Sequence, residues 1–280
     1  MNQVAARGRL VCTPDEYQAF KRFLRDASGI ELGEGKEYLV TSRLSGLMRQ
    51  HGLGSMRDLM AALSGGRQHR LRAGVIDAMT TNETFWFRDP SHFRLLTAKV
   101  FPEASAQRLR IWSAACSSGQ EPYSISMQVQ EYRINNPGKL IGDVEIVATD
   151  ISSSVLDEAR KGVYSGMSAS RGLNEEQRQR FFSPHPDGLE VRPEIRRRVR
   201  FQEFNLTRGF ESLGRFDVIF CRNVLIYFPS AAKRDIINRM AKALQPGGYL
   251  FLGSTESLSS QANAFEMVAE QGGIAYRLKE

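Results

Sequence analysis

The spacing of apolar residues changes period once along this chain, and that change divides what the chain can fold into. From Thr13 to Met79 apolar side chains recur at helical spacing, and no strand pattern occurs before residue 108. Thr13-Pro14-Asp15-Glu16 predicts a helix start, with Thr13 as cap, Pro14 at the first position and Glu16 reaching back in a capping box. Phe20, Phe23, Leu24 and Ala27 follow at helical spacing, and Gly29 ends the helix. Further helices are predicted over Glu37–Gln50, Met56–Leu63 and Leu71–Met79, while residues 1–12 read as loose. The first 79 residues therefore predict a small helical domain.

From Leu109 onward short apolar runs alternate with helical stretches. Strands are predicted at Leu109–Ala115, Val144–Thr149, Phe216–Cys221, Tyr249–Gly253 and Gly273–Leu278. Helices fit Pro122–Tyr132, Ser152–Lys161 and Ser230–Leu244, the last closed by Pro246-Gly247-Gly248. This alternation predicts an α/β domain over 80–280, with a mostly parallel sheet covered by helices on both faces. Between Gly172 and Asn205 the pattern breaks. A short helix at Asn174–Phe182, the hairpin signal Asp187-Gly188 and strand-like pieces around Leu189–Arg192 and Val199–Phe204 predict a small antiparallel insert at about 172–205.

Composition excludes several classes. With 41% hydrophobic and 25% charged residues the chain is neither disordered nor fibrous. No run of 18 apolar residues predicts a membrane-spanning helix, and MNQVAARGRL lacks a signal-peptide core, so the cytosol is the expected location. Cys12, Cys116 and Cys221 are odd in number and far apart, which argues for reduced thiols rather than disulfides or a zinc site. The net charge is +7, with twelve Arg and Lys against seven Asp and Glu in residues 1–72, and five arginines between Arg192 and Arg200 against Glu194 alone. Such a surplus favours nucleic acid, an anionic membrane or an acidic protein as partner, or else serves solubility. The basic runs hold no interleaved aromatics, which weakens the nucleic-acid reading.

In an open α/β sheet, ligands bind beyond the carboxyl ends of the strands. Three such ends carry distinctive residues. Ser113-Ala114-Ala115-Cys116-Ser117-Ser118-Gly119-Gln120-Glu121-Pro122 is a turn of small residues that lets backbone approach a ligand, and it is not the GxGxxG of a pyrophosphate site. Asp150 ends the next strand, where a carboxylate either accepts from both hydroxyls of a ribose or caps a helix. Cys221-Arg222-Asn223 ends a third, where Asn223 either bonds a nucleoside or amino-acid backbone or serves the turn. Together these ends suggest a nucleoside ligand without a pyrophosphate, a description that S-adenosylmethionine (SAM) fits.

Five segments resemble, in order, the motifs of bacterial chemotaxis receptor methyltransferases of the CheR type. They are Thr80-Thr81-Asn82-Glu83-Thr84-Phe85-Trp86-Phe87-Arg88, the stretch from Trp112 to Ser124, Ala148-Thr149-Asp150-Ile151, the stretch from Phe216 to Phe228, and Phe251-Leu252-Gly253-Ser254-Thr255-Glu256-Ser257-Leu258. The resemblance implies a Rossmann-like SAM-dependent methyltransferase sheet with a small antiparallel β insert, preceded by a small all-α domain. It implies methyl transfer from SAM to glutamate side chains of transmembrane chemoreceptors, with S-adenosylhomocysteine as product. It also implies a SAM site built from Asn82, Thr84, Arg88, Glu121, Asp150, Asn205, Leu206, Arg222 and Asn223. Asp150 is then the ribose acceptor and Glu121 an acceptor for a SAM amino or hydroxyl group. Arg88 meets a carboxylate of SAM or of the substrate, unless it is a surface ion pair. Tyr227 matches the family's tyrosine near the transferred methyl, with a core aromatic as its alternative.

A glutamate carboxylate has an ordinary pKa of about 4.3 and is already ionised at neutral pH, so the transfer needs no general base. His51, His69, His92 and His185 are expected to be structural. Arg43 and Arg49 on the second helix are expected to steer the acidic methylation helices of the receptor. Members that grip a receptor's C-terminal peptide carry a longer loop than Ser183–Gly188, so direct binding to the methylation region is expected here. No nucleic acid, no membrane insertion and a monomer complete the expectation. The competing readings are a SAM-sensing or receptor-docking module without catalysis, a nicotinamide oxidoreductase, and an RNA methyltransferase. The second lacks GxGxxG, and the third lacks the Asn/Asp-Pro-Pro-Tyr type motif, whose place Asn223-Val224-Leu225-Ile226 occupies.

Overall fold

The computed structural model describes residues 10–65, 68–104, 108–258 and 263–280, and these fall into two compact units that divide between Thr81 and Asn82. Most of the stretch expected to be loose, residues 1–9, lies outside the described residues. The first unit is built from α1 (Pro14–Ser28), α2 (Glu37–Gln50), α3 (Met56–Ser64) and α4 (His69–Met79). The α1 start is a capping box: Thr13 Oγ1 accepts the Glu16 amide, and the Glu16 carboxylate accepts the Thr13 amide at 2.9 Å. Gly29, at φ 79°, closes α1 by donating to the Arg25 carbonyl. One apolar stripe from each helix meets in a core that includes Tyr17, Phe20, Leu44, Leu59 and Val75.

Arg43, expected to face a partner, has work inside this unit. Its Nη1 donates to the Met79 and Thr80 carbonyls at 2.9 and 3.0 Å and its Nη2 to Thr81 Oγ1 at 3.2 Å, so it satisfies the open end of α4. Arg49 remains exposed.

The second unit opens with α5 (Pro90–Leu95), which runs through a π-helical stretch, Leu96–Val100, into α6 (Phe101–Glu103). Then come β1 (Arg108–Ala114), α7 (Gln120–Asn135), β2 (Asp143–Asp150), α8 (Ser153–Lys161) and β3 (Val163–Tyr164). They are followed by α9 (Glu175–Phe181), β4 (Phe182–His185), β5 (Gly188–Val191), α10 (Pro193–Arg196) and β6 (Val199–Glu203). The chain ends with β7 (Phe216–Cys221), α11 (Ser230–Ala243), β8 (Leu244–Leu252), β9 (Phe265–Glu270) and β10 (Gly273–Leu278). The main sheet has the order β6-β2-β1-β7-β8-β10-β9. It is parallel as far as β8 and closes with the antiparallel pairs of β10 to β8 and to β9. Alternate residues serve its two faces. Trp112, Ile219 and Leu250 pack with Ile236 and Met240 of α11, whereas Ile111, Val218 and Phe251 pack with Phe93, Ile125 and Val129 of α5 and α7.

Three expectations need correction. Val199–Glu203 does not belong to the antiparallel insert. It pairs in parallel with β2, from Ile146 opposite Val199 to Asp150 opposite Glu203, and forms the edge of the main sheet. Its Val199 and Phe201 pack against core residues, while Arg200 lies 3.3 Å from Glu145 on β2. The insert is instead β3-β5-β4, so it begins near Val163, where a two-residue strand is too short to show a period of two. The third concerns Pro246-Gly247-Gly248, which lies inside β8 rather than closing α11. Gly247 at φ 73° accommodates the irregularity that shifts the register against β7 between Phe216 and Val218.

The arginine run is also stitched into the fold. Arg192 donates to the Phe182 and Gln179 carbonyls, Arg196 pairs with Glu190 at 2.6 Å, and the buried Arg198 donates to Ser126 Oγ, the Glu194 carbonyl and Gln130. Burial, with Arg133 and Arg197 nearby, pushes the Arg198 guanidinium down to about 10, so it stays charged at neutral pH. No described helix is long and apolar enough to cross a membrane.

The insert grips the entry to the second unit. Trp86 sits edge-on to Tyr164 and Phe182, and its Nε1 donates to the Ser168 carbonyl at 2.7 Å. Gly172, at φ 93°, approaches so closely that an added Cβ would lie 2.0 Å from the Trp86 carbonyl oxygen. Gly172→Ala is therefore expected to destabilise the second unit by about 2 kcal/mol or more, since backbone strain and steric overlap act together. Urea unfolding followed by tryptophan emission checks this, and an unchanged midpoint would contradict the packing.

Candidate functional site

The strand order fixes where a ligand can sit. From β1 the chain crosses to β2 on one side, and β7 lies on the other, so the winding reverses between β1 and β7. A crevice at that reversal is where doubly wound sheets bind ligands. Two strand ends are tied together there. The Ser117 amide donates to Asp150 Oδ2 and the Ser152 amide to Asp150 Oδ1, both at 2.9 Å, and the Cys116 amide donates to the Thr149 carbonyl. Asp150 is thus buried with its carboxylate fixed by backbone. It accepts the Ser152 amide just ahead of α8, whose N-cap is the Ser152 side chain.

The backbone around this crevice is held in unfavourable conformations. Ala115, Ser117 and Asn223 have φ of 58°, 51° and 57°, and Phe87 and Asp89 have 49° and 55°. These account for five of the seven positive-φ non-glycine residues among the described ones, and each costs roughly 1 kcal/mol or more. Gly119, at φ 95°, has no room for a side chain, because a Cβ would lie 2.9 Å from Ala159 Cβ.

Arg222 lies at the centre, with its side chain 2% exposed. Its Nη1 pairs with Glu121 Oε2 at 2.9 Å, and its Nη2 pairs with Asp89 Oδ2 at 2.7 Å and donates to the Arg88 carbonyl at 2.6 Å. Glu121 Oε1 in turn accepts from Ser113 Oγ at 2.7 Å. Both Glu121 oxygens therefore already serve protein donors, and the Glu121 and Arg222 side chains hold the crevice together. Arg222 Nε is buried without a partner among the described residues.

The other anticipated residues fall around this centre. The Asn82 carbonyl accepts from Ser117 Oγ at 2.8 Å, which anchors the segment bearing Thr84 and Arg88 against the β1 turn. The Arg88 guanidinium donates to the Glu83 carbonyl and lies over the Phe85 ring at 5.5 Å. It forms no ion pair among the described residues; the neighbouring Glu83, which feels its charge, pairs with Arg171 at 2.9 Å. The Phe204 amide donates to the Asp150 carbonyl, which brings the following Asn205 beside Asp150, and Asn205 Oδ1 accepts from Thr207 in a local turn. Leu206 is buried in the main core with Trp112. Tyr227 sits half-buried in the single turn Leu225–Tyr227 that follows Asn223. Sequence reasoning did not single out Asp89 or Glu256. Asp89 directly follows the first motif, and Glu256 lies inside the last one, where its carboxylate accepts the Asn223, Gly253 and Ile226 amides.

The two units match two family models: CheR methyltransferase, all-alpha domain, over residues 15–80, and CheR methyltransferase, SAM binding domain, over residues 82–274. The chain belongs to the CheR methyltransferase family. It is 48% identical over 269 residues to the chemotaxis protein methyltransferase Cher2 of Pseudomonas putida, an alignment that covers 94% of this chain and 98% of that protein. It is 49% identical over 269 residues to chemotaxis protein methyltransferase 1 of Pseudomonas aeruginosa, with the same coverage. A chemotaxis protein methyltransferase of Vibrio parahaemolyticus is 47% identical over 273 residues, covering 96% and 99%. As a CheR methyltransferase the protein carries out SAM-dependent methylation in chemotaxis. The donor chemistry fits that cofactor: a fixed carboxylate at Asp150, an amide at Asn223 and a floor of small residues from Ala114 to Gly119.

His92 stands behind this CheR site. Its ring meets the edge of Phe251 at 5.7 Å, and Nδ1 is buried without a partner among the described residues. Burial, aided by the Arg222 guanidinium and opposed by Asp89, pushes the imidazole down from 6.5 to about 4. In the unfolded chain the same ring takes its proton near pH 6.5, so the unfolded state binds more protons between the two values. Stability from this group is present above about pH 6.5 and is lost as the pH falls toward 4. Between pH 7 and pH 5 the loss should be about 2 kcal/mol. Denaturant titrations of the wild type and His92→Leu check this, and a variant with the wild-type pH slope would rule His92 out as the source.

Proposed function

We propose that the protein methylates glutamate side chains of transmembrane chemoreceptors, forming γ-methyl esters. The contrast between two arginines carries this reading. Both terminal nitrogens of Arg222 are taken by carboxylates, whereas Arg88, among the described residues, donates to a carbonyl, lies over an aromatic face, and keeps donors for an incoming carboxylate. When bound, SAM supplies an electrophilic methyl group on a positively charged sulfur. Asp150, Asn205 and Asn223 would hold its nucleoside, with Asn82, Thr84 and Leu206 lining the site.

The acceptor carboxylate needs no base, because it is ionised at neutral pH. Arg88 would bind it, and Tyr227 would orient one of its oxygens in line with the methyl. Such positioning contributes about 7–11 kcal/mol in favourable cases. Closing the crevice against water favours the transition state, in which opposite charges are neutralised, over the separated ions. His92 takes no part, since its imidazole is buried and pushed down to about 4.

This substrate places the work in the cytoplasm, on the acidic methylation helices of the receptor. The exposed Arg49 supports their attraction to the first unit. A tight β4–β5 hairpin, with His185 opposite Gly188 across only Pro186 and Asp187, supports docking at those helices without capture of a C-terminal peptide. We also read the protein as a monomer that contacts neither nucleic acid nor the bilayer.

With methyl-labelled SAM and receptor-containing membranes from the same organism, label should appear on membrane protein and be released by base as volatile methanol. Arg88→Met should reduce that transfer about 10- to 100-fold, the usual weight of a hydrogen bond to a charged group. Base-stable label would overturn the carboxylate assignment, and full activity of Arg88→Met would remove Arg88 from it.

A further inference from the structure

Glu256 lies just past β8, and its carboxylate gathers three backbone amides, two from the loop after β7 and one from the end of β8. Oε2 accepts from the Asn223 amide at 2.7 Å and from the Gly253 amide at 2.8 Å, and Oε1 accepts from the Ile226 amide at 3.2 Å. The first two donors are the ends of β7 and β8. The third belongs to the single turn that carries Tyr227. Gly253 lets the carboxylate in: a Cβ there would lie 2.7 Å from both Glu256 Oε2 and Asn223 Nδ2. Asn223 is held at positive φ, a conformation that persists only when neighbours over-determine it, and Glu256 grips its amide. Ile226 itself is 49% exposed, so its own packing does little to fix the turn.

We propose that Glu256 is a positioning residue for methyl transfer, which sets the Tyr227 turn through one carboxylate oxygen while holding the Asn223 strand end through the other. The inference rests on the proposed role of Tyr227. A carboxylate offers acceptors on both oxygens, whereas an amide offers one acceptor and one donor. In Glu256→Gln the amide oxygen can keep the shorter pair of bonds to Asn223 and Gly253. Its NH2 then faces the Ile226 N–H, donor against donor, and the Tyr227 turn is released.

Four full-length proteins test this in the base-labile methylation assay: wild type, Glu256→Gln, Tyr227→Phe and the double variant. Glu256→Gln should lose about 10- to 100-fold in kcat while its Kd for SAM stays within about twofold of wild type. The double variant should lose no more than the worse single, because both changes act on one device. A merely structural Glu256 would weaken SAM binding in step with kcat and multiply with Tyr227→Phe, and that result would overturn the proposal. Full kcat in Glu256→Gln beside an impaired Tyr227→Phe would overturn it too, while leaving the reading of Tyr227 intact. An unimpaired Tyr227→Phe would remove that reading, and any loss in Glu256→Gln would then run by another route, against the proposal. Should Glu256→Gln not fold, Glu256→Asp, which keeps the carboxylate but shortens its reach to the Ile226 amide, must show the same split between kcat and SAM affinity.

Discussion

Arg222 brings a guanidinium to a place where its side chain is 2% exposed, and two carboxylates meet it there. Burying three charged groups is costly, and cutting one from such a set leaves its partners unpaired, at about 3–5 kcal/mol. The return is geometric. Glu121 belongs to the first turn of α7, Asp89 to the segment ahead of α5, and Arg222 to the end of β7, so one side chain fixes three parts of the chain against each other. The strained backbone at Asp89, Ala115, Ser117 and Asn223 is affordable only inside a frame held this firmly.

The same frame separates two kinds of polar group. Those that build the crevice find partners within the protein: Glu121 meets Ser113 and Arg222, Arg222 meets Glu121 and Asp89, and Glu256 gathers backbone amides. Arg88 keeps its guanidinium over an aromatic face and forms no ion pair among the described residues, though its charge reaches Glu83. Methyl transfer to an already ionised acceptor asks for placement and dryness rather than proton traffic. A site made of locked polar contacts around a few available donors suits that demand.

Much of this was legible in the sequence, and the rest was hidden for physical reasons. The capping box at Thr13 and the glycine stop at Gly29 were readable because caps are local. The parallel strands showed as apolar runs because both faces are buried. Val199–Glu203 misled because a half-covered edge strand alternates like a hairpin strand, and only its partner tells them apart. Val163–Tyr164 carried too few residues to show any period. The arginine run between Arg192 and Arg200 looked like a docking surface, since sequence gives charge without the carbonyls and carboxylates that absorb it. At the site, the motifs named Asp150, Arg222 and Asn223, which the fold brings to neighbouring strand ends. That Glu121 faces Arg222, and that Glu256 collects three amides, depends on contacts between residues far apart in the chain.

The two tryptophans of the chain occupy different parts of the second unit. Trp86 is enclosed by the insert, between Tyr164 and Phe182, whereas Trp112 stacks on Phe216 in the main sheet and donates to Thr149, next to Asp150. Both are fully buried, and the helical first unit has none. Intrinsic tryptophan emission from this protein is therefore blind to melting of the first unit, and its two emitters view the second from separate vantage points. One sees the insert let go of the chain entering the domain, and the other sees the floor of the crevice open.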